Sequence, residues 1–115
     1  MKNSIFIIVL LLVHMATFAQ EGVNFEDLTF DEALAKAKAE NKFVFVDCYT
    51  SWCGPCKYMA QAVFPQKSMG DFFNPRFVSV KFDMERGEGK ELNEKFGVKA
   101  YPTFLILRPD ASSLV

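Results

Sequence analysis

Two cysteines separated by two residues, Cys53 and Cys56, have the clearest capacity for chemistry in this sequence. Cysteines at this spacing can close a small disulfide ring or open to a dithiol. If a helix begins near Cys53, its unpaired backbone N–H groups and its dipole favour an anion there, and the thiolate is the reactive form of cysteine. Pro55 fits this placement, because proline is tolerated in the first turn of a helix. The spacing therefore predicts a redox-active dithiol.

Two structural interpretations compete with redox chemistry: a static disulfide and half of a zinc site. Zinc takes four ligands, and the only further sulfur ligand close to the pair along the chain is Cys48. The only histidine, His14, lies in a segment that we expect to be removed. We therefore predict no metal site, and no mechanism in which histidine activates a nucleophile. A static disulfide stays open as the alternative.

The N-terminal residues predict a cleaved secretory signal at 1–19. Lys2 gives a positive start, an apolar run follows, and Thr17 to Ala19 form a small-residue cleavage site. The run is shorter than the roughly 20 residues that span a bilayer. We expect one domain, at 20–115, in the periplasm or secreted from the cell. Loss of Lys2 changes the net charge from −1 to −2, and without basic clusters we predict no binding to nucleic acid.

Three apolar runs predict the strands of one sheet, at residues 43–46, 77–82 and 103–107. The first run is continuous and not alternating, which favours a central strand covered on both faces. A crossover helix would make the second strand parallel to the first.

Several segments predict helices around that sheet. Thr29 and Glu32 have the spacing of a capping box, and Asn41 is a stop signal for the helix that follows. A second helix should start at the cysteine pair and bend near Pro65. Shorter helices are expected at 68–73 and 91–96.

Three segments of the sequence together resemble the thioredoxin-like family. They are the hexapeptide 52–57, Trp-Cys-Gly-Pro-Cys-Lys, after an apolar strand; Asp47, six residues before Cys53; and the segment 97–104 with Tyr101-Pro102. The likeness is greatest to secreted thioredoxin-like proteins and to the C-terminal domain of the membrane thiol:disulfide interchange protein. It covers residues 24 to 115 and implies an α/β thioredoxin fold, a central mixed sheet with helices on both faces. We expect the last strand and helix of that fold to be truncated.

The resemblance also implies roles for the residues around the cysteines. Cys53 would be the exposed nucleophile that attacks a substrate disulfide, and Cys56, less exposed, would resolve the mixed disulfide. Asp47 would accept the proton of Cys56 through water. The supporting residues would flank the pair and form its contact surface: Trp52, Gly54, Pro55 and Lys57.

Two more residues are implied to contact substrate. Tyr101 and Pro102 would be joined by a cis peptide bond and would lie beside Cys53. Thioredoxins tend to carry a smaller aliphatic residue before this proline, so Tyr101 alters the wall that faces the nucleophile. Cys48 is expected to be a buried, inert thiol.

These features together imply a thiol–disulfide oxidoreductase that reduces disulfides of proteins or small molecules and needs no bound cofactor. Gly54 and Pro55 form the dipeptide of thioredoxin, which favours electron donation. An exported reductant must be recharged, which implies a membrane-embedded thiol reductase as its electron donor. The alternatives are a binding module with little turnover and a disulfide oxidase or isomerase.

Overall fold

Strand β1 (Phe43–Tyr49) lies at the centre of the sheet, with a neighbour on each side. In a computed structural model that describes residues 21–115, β2 (Phe77–Asp83) pairs with β1 in parallel and β3 (Thr103–Leu107) pairs with it antiparallel. The predicted mixed sheet with a central first strand is therefore confirmed. The predicted signal at 1–19 lies outside the described residues.

Helices cover both faces of this sheet, as the resemblance implied. They are α1 (Phe30–Glu40), α2 (Gly54–Tyr58), a π-helix (Met59–Val63), α3 (Lys67–Arg76) and α4 (Glu88–Phe96). Residues of α1 and α4 pack with one buried cluster, and residues of the π-helix and α3 pack with another. Across residues 21–115, none of the helices has the length and apolar character needed to cross a membrane.

Alternation along β1 divides the core in two. Val44 and Val46 point into the cluster under α1 and α4, while Phe45 points into an aromatic cluster under the π-helix and α3. Asp47 follows Phe45 at the same period, so its carboxyl group lies on the face that carries the cysteine helix. The strand therefore places this acid under α2.

Helix α1 begins and ends as predicted. The Thr29 hydroxyl accepts from the Glu32 N–H at 3.1 Å, and the Glu32 carboxylate accepts from the Thr29 N–H at 2.9 Å. Asn41 ends the helix in the left-handed conformation, with φ of 55°. The capping box and the stop residue are both confirmed.

Three helices differ from prediction. The helix that starts at the cysteine pair ends with the π-helix at Val63 and does not bend near Pro65. Helix α3 continues through Pro75, which lies one residue before its end and so removes only one hydrogen bond, while the Arg76 side chain donates to the Phe72 carbonyl at 2.8 Å. Helix α4 begins at Glu88, earlier than residue 91, because the Glu88 carboxylate accepts from the Phe30 N–H at 2.9 Å. A contact with α1 thus holds the first turn of α4.

Candidate active site

A disulfide joins Cys53 and Cys56 where β1 gives way to α2. Cys53 is the N-cap of α2, and its Sγ accepts a hydrogen bond from the Cys56 N–H at 3.1 Å. Pro55 lies in the first turn of α2, where backbone N–H groups have no acceptor within the helix. The N–H that proline lacks therefore costs the helix no hydrogen bond. The same N–H would favour a thiolate on Cys53 once the disulfide is reduced.

The predicted contrast in exposure between the two cysteines is wrong for this disulfide form. Cys53 is 3% exposed and Cys56 6% exposed, so both are buried and neither is the open one. In this form Cys53 Sγ is bonded to Cys56 and accepts from the Cys56 N–H, which holds Cys53 against the first turn of α2. Trp52, 64% exposed, stands beside them as the open part of the site.

The Asp47 carboxyl group is buried, and its Oδ1 has no hydrogen-bond partner among residues 21–115. Burial disfavours the charged form and raises the pKa of Asp47 to about 6, while the positive charge of Lys81 acts in the opposite direction. The group therefore titrates close to neutral pH, where it can take up and release a proton.

Asp47 and Cys56 line one cavity of about 180 Å³ that opens to solvent. Its other polar lining residues include Thr50, Lys57 and Lys81. A cavity of this size, with these polar side chains in its wall, admits water that has several hydrogen-bond partners. The predicted proton route from Cys56 to Asp47 through water therefore has room, and Lys57, exposed, lies at its edge.

Sequence reasoning missed two members of this cavity. Lys81 is the register partner of Asp47 on β2, and its Nζ lies 5.0 Å from the centre of the Tyr49 ring. Thr50 is buried, and its Oγ1 has no partner in the described part of the chain. Lys81 is the only charge in the apolar run 77–82, and pairing that run with β1 would have placed it opposite Asp47.

The Tyr101–Pro102 peptide bond is cis, as the resemblance implied. The Tyr101 ring meets the Trp52 ring edge to face, with centroids 5.9 Å apart. This contact brings the proline segment to the residue that precedes Cys53. Two partners of these rings were not expected from the sequence: Glu85 accepts from the Trp52 indole, and Asn93 donates to the Tyr101 hydroxyl.

Cys48 points away from the disulfide, into the core under α1 and α4. It is 1% exposed, and burial, together with the nearby charge of Asp47, raises the pKa of its thiol to about 12. The predicted burial of Cys48 is confirmed, and we expect a buried thiol that is hard to ionise to be unreactive. Within residues 21–115, no group of three or more His, Cys, Asp or Glu side chains could hold a metal ion.

The chain matches a family model described as thioredoxin-like over residues 24–109. Among curated proteins it is 38% identical over 86 residues to an H-type thioredoxin of Oryza sativa subsp. indica, covering 73% of the chain and 64% of that protein. It is 39% identical over 70 residues to thioredoxin-1 of Drosophila melanogaster, covering 61% of each. The chain thus spans less than two thirds of the length of these relatives.

Solved structures show the same likeness. A candidate disulphide-isomerase of Bacteroides thetaiotaomicron superposes with a TM-score of 0.73 and 46% identity, over 84% of this chain and 80% of that one. A thioredoxin of Thermus thermophilus superposes with a TM-score of 0.69 and 26% identity, over 84% and 74% of the two chains.

Proposed function

Because the chain belongs to the thioredoxin-like family, with its disulfide in a Cys-x-x-Cys motif, we propose that it is a reductase of disulfides outside the cytoplasm. One observation carries the proposal: Cys56 and the buried Asp47 line the same cavity. A buried acid beside a resolving thiol serves proton transfer, which a static disulfide does not need.

The first step starts from the reduced dithiol. The Cys53 thiolate attacks one sulfur of the substrate disulfide, the substrate S–S bond breaks, and a mixed disulfide forms between Cys53 and the substrate. The other substrate sulfur leaves as a thiolate and takes a proton from solvent. The N–H of Cys56 stabilises the attacking sulfur, since it already donates to Cys53 Sγ in the disulfide form.

The second step releases the substrate. Asp47 accepts the Cys56 proton through water in the shared cavity, and the Cys56 thiolate attacks Cys53 Sγ. The mixed disulfide breaks, the second substrate sulfur leaves and is protonated, and the protein disulfide closes. Two electrons pass from the protein to the substrate, so a dithiol donor must reduce the protein again.

A membrane-embedded thiol reductase is the donor we propose. The motives are the predicted signal at 1–19 and a likeness to the thiol:disulfide interchange protein DsbD of Pseudomonas fluorescens, 31% identical over 81 residues. The match covers 70% of this chain and 14% of that protein. Reduction of the oxidised chain by membranes that contain such a reductase, and not by membranes that lack it, tests this pairing.

The reduction potential tests the direction of transfer. Thioredoxin lies near −270 mV and a strongly oxidising relative near −120 mV. With Gly54 and Pro55 between its cysteines, this protein should lie close to the first value when residues 20–115 are equilibrated with dithiothreitol or glutathione buffers. A potential close to the second value would make the protein an oxidase and overturn the reductase proposal.

An isomerase is the second candidate, because the 46% identical structure is that of a candidate disulphide-isomerase. An assay with a test enzyme whose disulfides have been scrambled separates the isomerase from the reductase. It measures how much activity the test enzyme recovers while the total thiol concentration is held constant. A reductase loses its electrons in this assay and stops after one turnover per dithiol, whereas an isomerase continues.

A further inference from the structure

Two aromatic rings beside the disulfide are each held by a polar partner on another element. The Trp52 Nε1–H donates to Glu85 Oε1 at 2.8 Å, and the Asn93 Nδ2–H donates to the Tyr101 hydroxyl at 3.3 Å. The rings meet at an interplanar angle of 89° with their centroids 5.9 Å apart. We call this pair, Trp52 and Tyr101, the aromatic wall.

The two polar partners lie on fixed parts of the scaffold. Asn93 is in the middle of α4. Glu85 follows β2, and its N–H donates to the Asp83 carboxylate at 2.9 Å, which fixes the start of the loop. In the aromatic wall, Tyr101 is therefore hydrogen-bonded to a helix and Trp52 to a residue of a turn.

Such ties matter because Trp52 is 64% exposed. An exposed ring with no partner samples several rotamers, and a ligand that needs one of them must first select it. A ring held by an indole hydrogen bond and an edge contact is already in place. The wall thus presents a preformed apolar surface next to Cys53.

We propose that Asn93 and Glu85 are positioning residues that hold the aromatic wall ready for an extended polypeptide, and so favour polypeptide disulfides over small ones. This inference rests on the proposed reductase function. The residues that flank a cysteine in a polypeptide reach the wall, whereas a small disulfide presents little beyond its sulfurs. The wall affects substrate affinity and leaves the electron and proton steps to Cys53, Cys56 and Asp47.

The test compares Asn93→Leu with Asn93→Asp, two variants of similar size. Leucine removes the hydrogen bond, and aspartate keeps it by accepting from the Tyr101 hydroxyl. With a peptide that contains one disulfide, Asn93→Leu should raise KM about 3- to 10-fold with kcat unchanged, the size expected for one hydrogen bond. With dithiobis(nitrobenzoate) its kcat/KM should change less than about twofold. Asn93→Asp should restore the parental KM.

A spectroscopic readout addresses the wall itself. Trp52 is the only tryptophan in the sequence, so its fluorescence reports this ring alone. Asn93→Leu and Glu85→Ala should lower its anisotropy and raise its quenching by acrylamide. Glu94→Ala, at the next and exposed position of α4, is the control and should change neither.

The double variant Asn93→Leu with Tyr101→Phe gives a further check. If both act through one hydrogen bond, the double variant should raise KM no more than the larger single change. Additive effects would overturn the coupling. Equal losses on peptide and small disulfide, or unchanged Trp52 anisotropy in Asn93→Leu, would overturn the proposal.

If the parental protein reduces neither disulfide, the proposed function fails separately from the wall. The dissociation constant of the peptide, measured on a variant with both active-site cysteines changed to serine, then decides the inference. An unchanged constant in Asn93→Leu would overturn it, and a weaker one would support it.

Discussion

Burial in the folded protein disfavours the ionised form of Asp47, and this makes the free energy of unfolding depend on pH. Its pKa is raised from 3.8 to about 6, so the folded state binds the proton more tightly than the unfolded chain does. The stability that this proton provides is present below pH 3.8 and is lost as the pH rises through about 6.

Asp47→Asn should therefore stabilise the protein at neutral pH. A neutral side chain removes the penalty, by up to about 3 kcal/mol above pH 6, and the gain should vanish below pH 4. Urea unfolding from pH 3 to 8 measures it, with Asp27→Asn, at an exposed position, as the control. A gain that stays constant over this range would contradict the raised pKa of Asp47.

The two cysteines should give opposite phenotypes. Cys53→Ala should abolish disulfide reduction, because it removes the attacking sulfur, whereas Cys56→Ala should accumulate a mixed disulfide with substrate, because nothing resolves it. Mass spectrometry of the protein after mixing with a peptide disulfide detects the adduct. Turnover of Cys56→Ala at the parental rate would refute the two-step mechanism.

Among the elements, the first turn of α4 depends on a glycine. A Cβ built on Gly89 would lie 1.8 Å from the Asp83 carbonyl oxygen, which is backbone and cannot turn aside. Replacing a helical glycine by alanine gains about 0.5–1 kcal/mol in an open helix. Here the overlap outweighs that gain.

We expect Gly89→Ala to lower the free energy of unfolding by about 2 kcal/mol or more. Gly54→Ala is the matched control for stability, because a Cβ there would meet nothing within 4 Å. Urea denaturation compares the two. Equal stability of Gly89→Ala and the parent would show that the β2–α4 turn can move aside.

The sequence predicted those elements whose signals are local. The capping box of α1 and the apolar runs of the three strands are readable within a few residues, and they appear in the structure. The start of α4 was not predictable, since Glu88 is held by Phe30, 58 positions away. Ahead of α1, the chain joins the sheet through one isolated bridge between Phe25 and Ser79.

In the candidate site, too, residues in local motifs were predictable, and residues brought together from distant segments were not. The cysteine pair, Asp47 and the cis peptide bond came with recognisable motifs. Thr50 and Lys81 were missed because their closeness to Asp47 follows from strand pairing and from a cavity between elements. Glu85 and Asn93 were missed because their partners are aromatic rings from other segments.

On the scale of the whole molecule, β1 contributes side chains to both hydrophobic clusters, one on each face of the sheet. Phe45 contacts five rings on one face: Phe25, Phe64, Phe73, Phe77 and Phe104. Val46, the next residue, is buried in the cluster on the other face. The two cores should therefore unfold together.

Phe45→Ala should cost about 3–5 kcal/mol and Val46→Ala less, and both should shift one cooperative transition. Far-UV circular dichroism and Trp52 fluorescence should give the same midpoint in each variant. Two separate midpoints in either variant would show that the cores unfold independently.

Because Cys48 is buried, labelling of the cysteines can report both whether the protein is folded and whether its disulfide is reduced. Its thiol is closed to solvent and hard to ionise, so a bulky maleimide should leave it untouched while the chain is folded. A native oxidised chain then takes no tag, an unfolded oxidised chain one, at Cys48, and an unfolded reduced chain three. On a gel, the number of mass increments would distinguish the redox state from the folded state in a single lane, without an added probe residue.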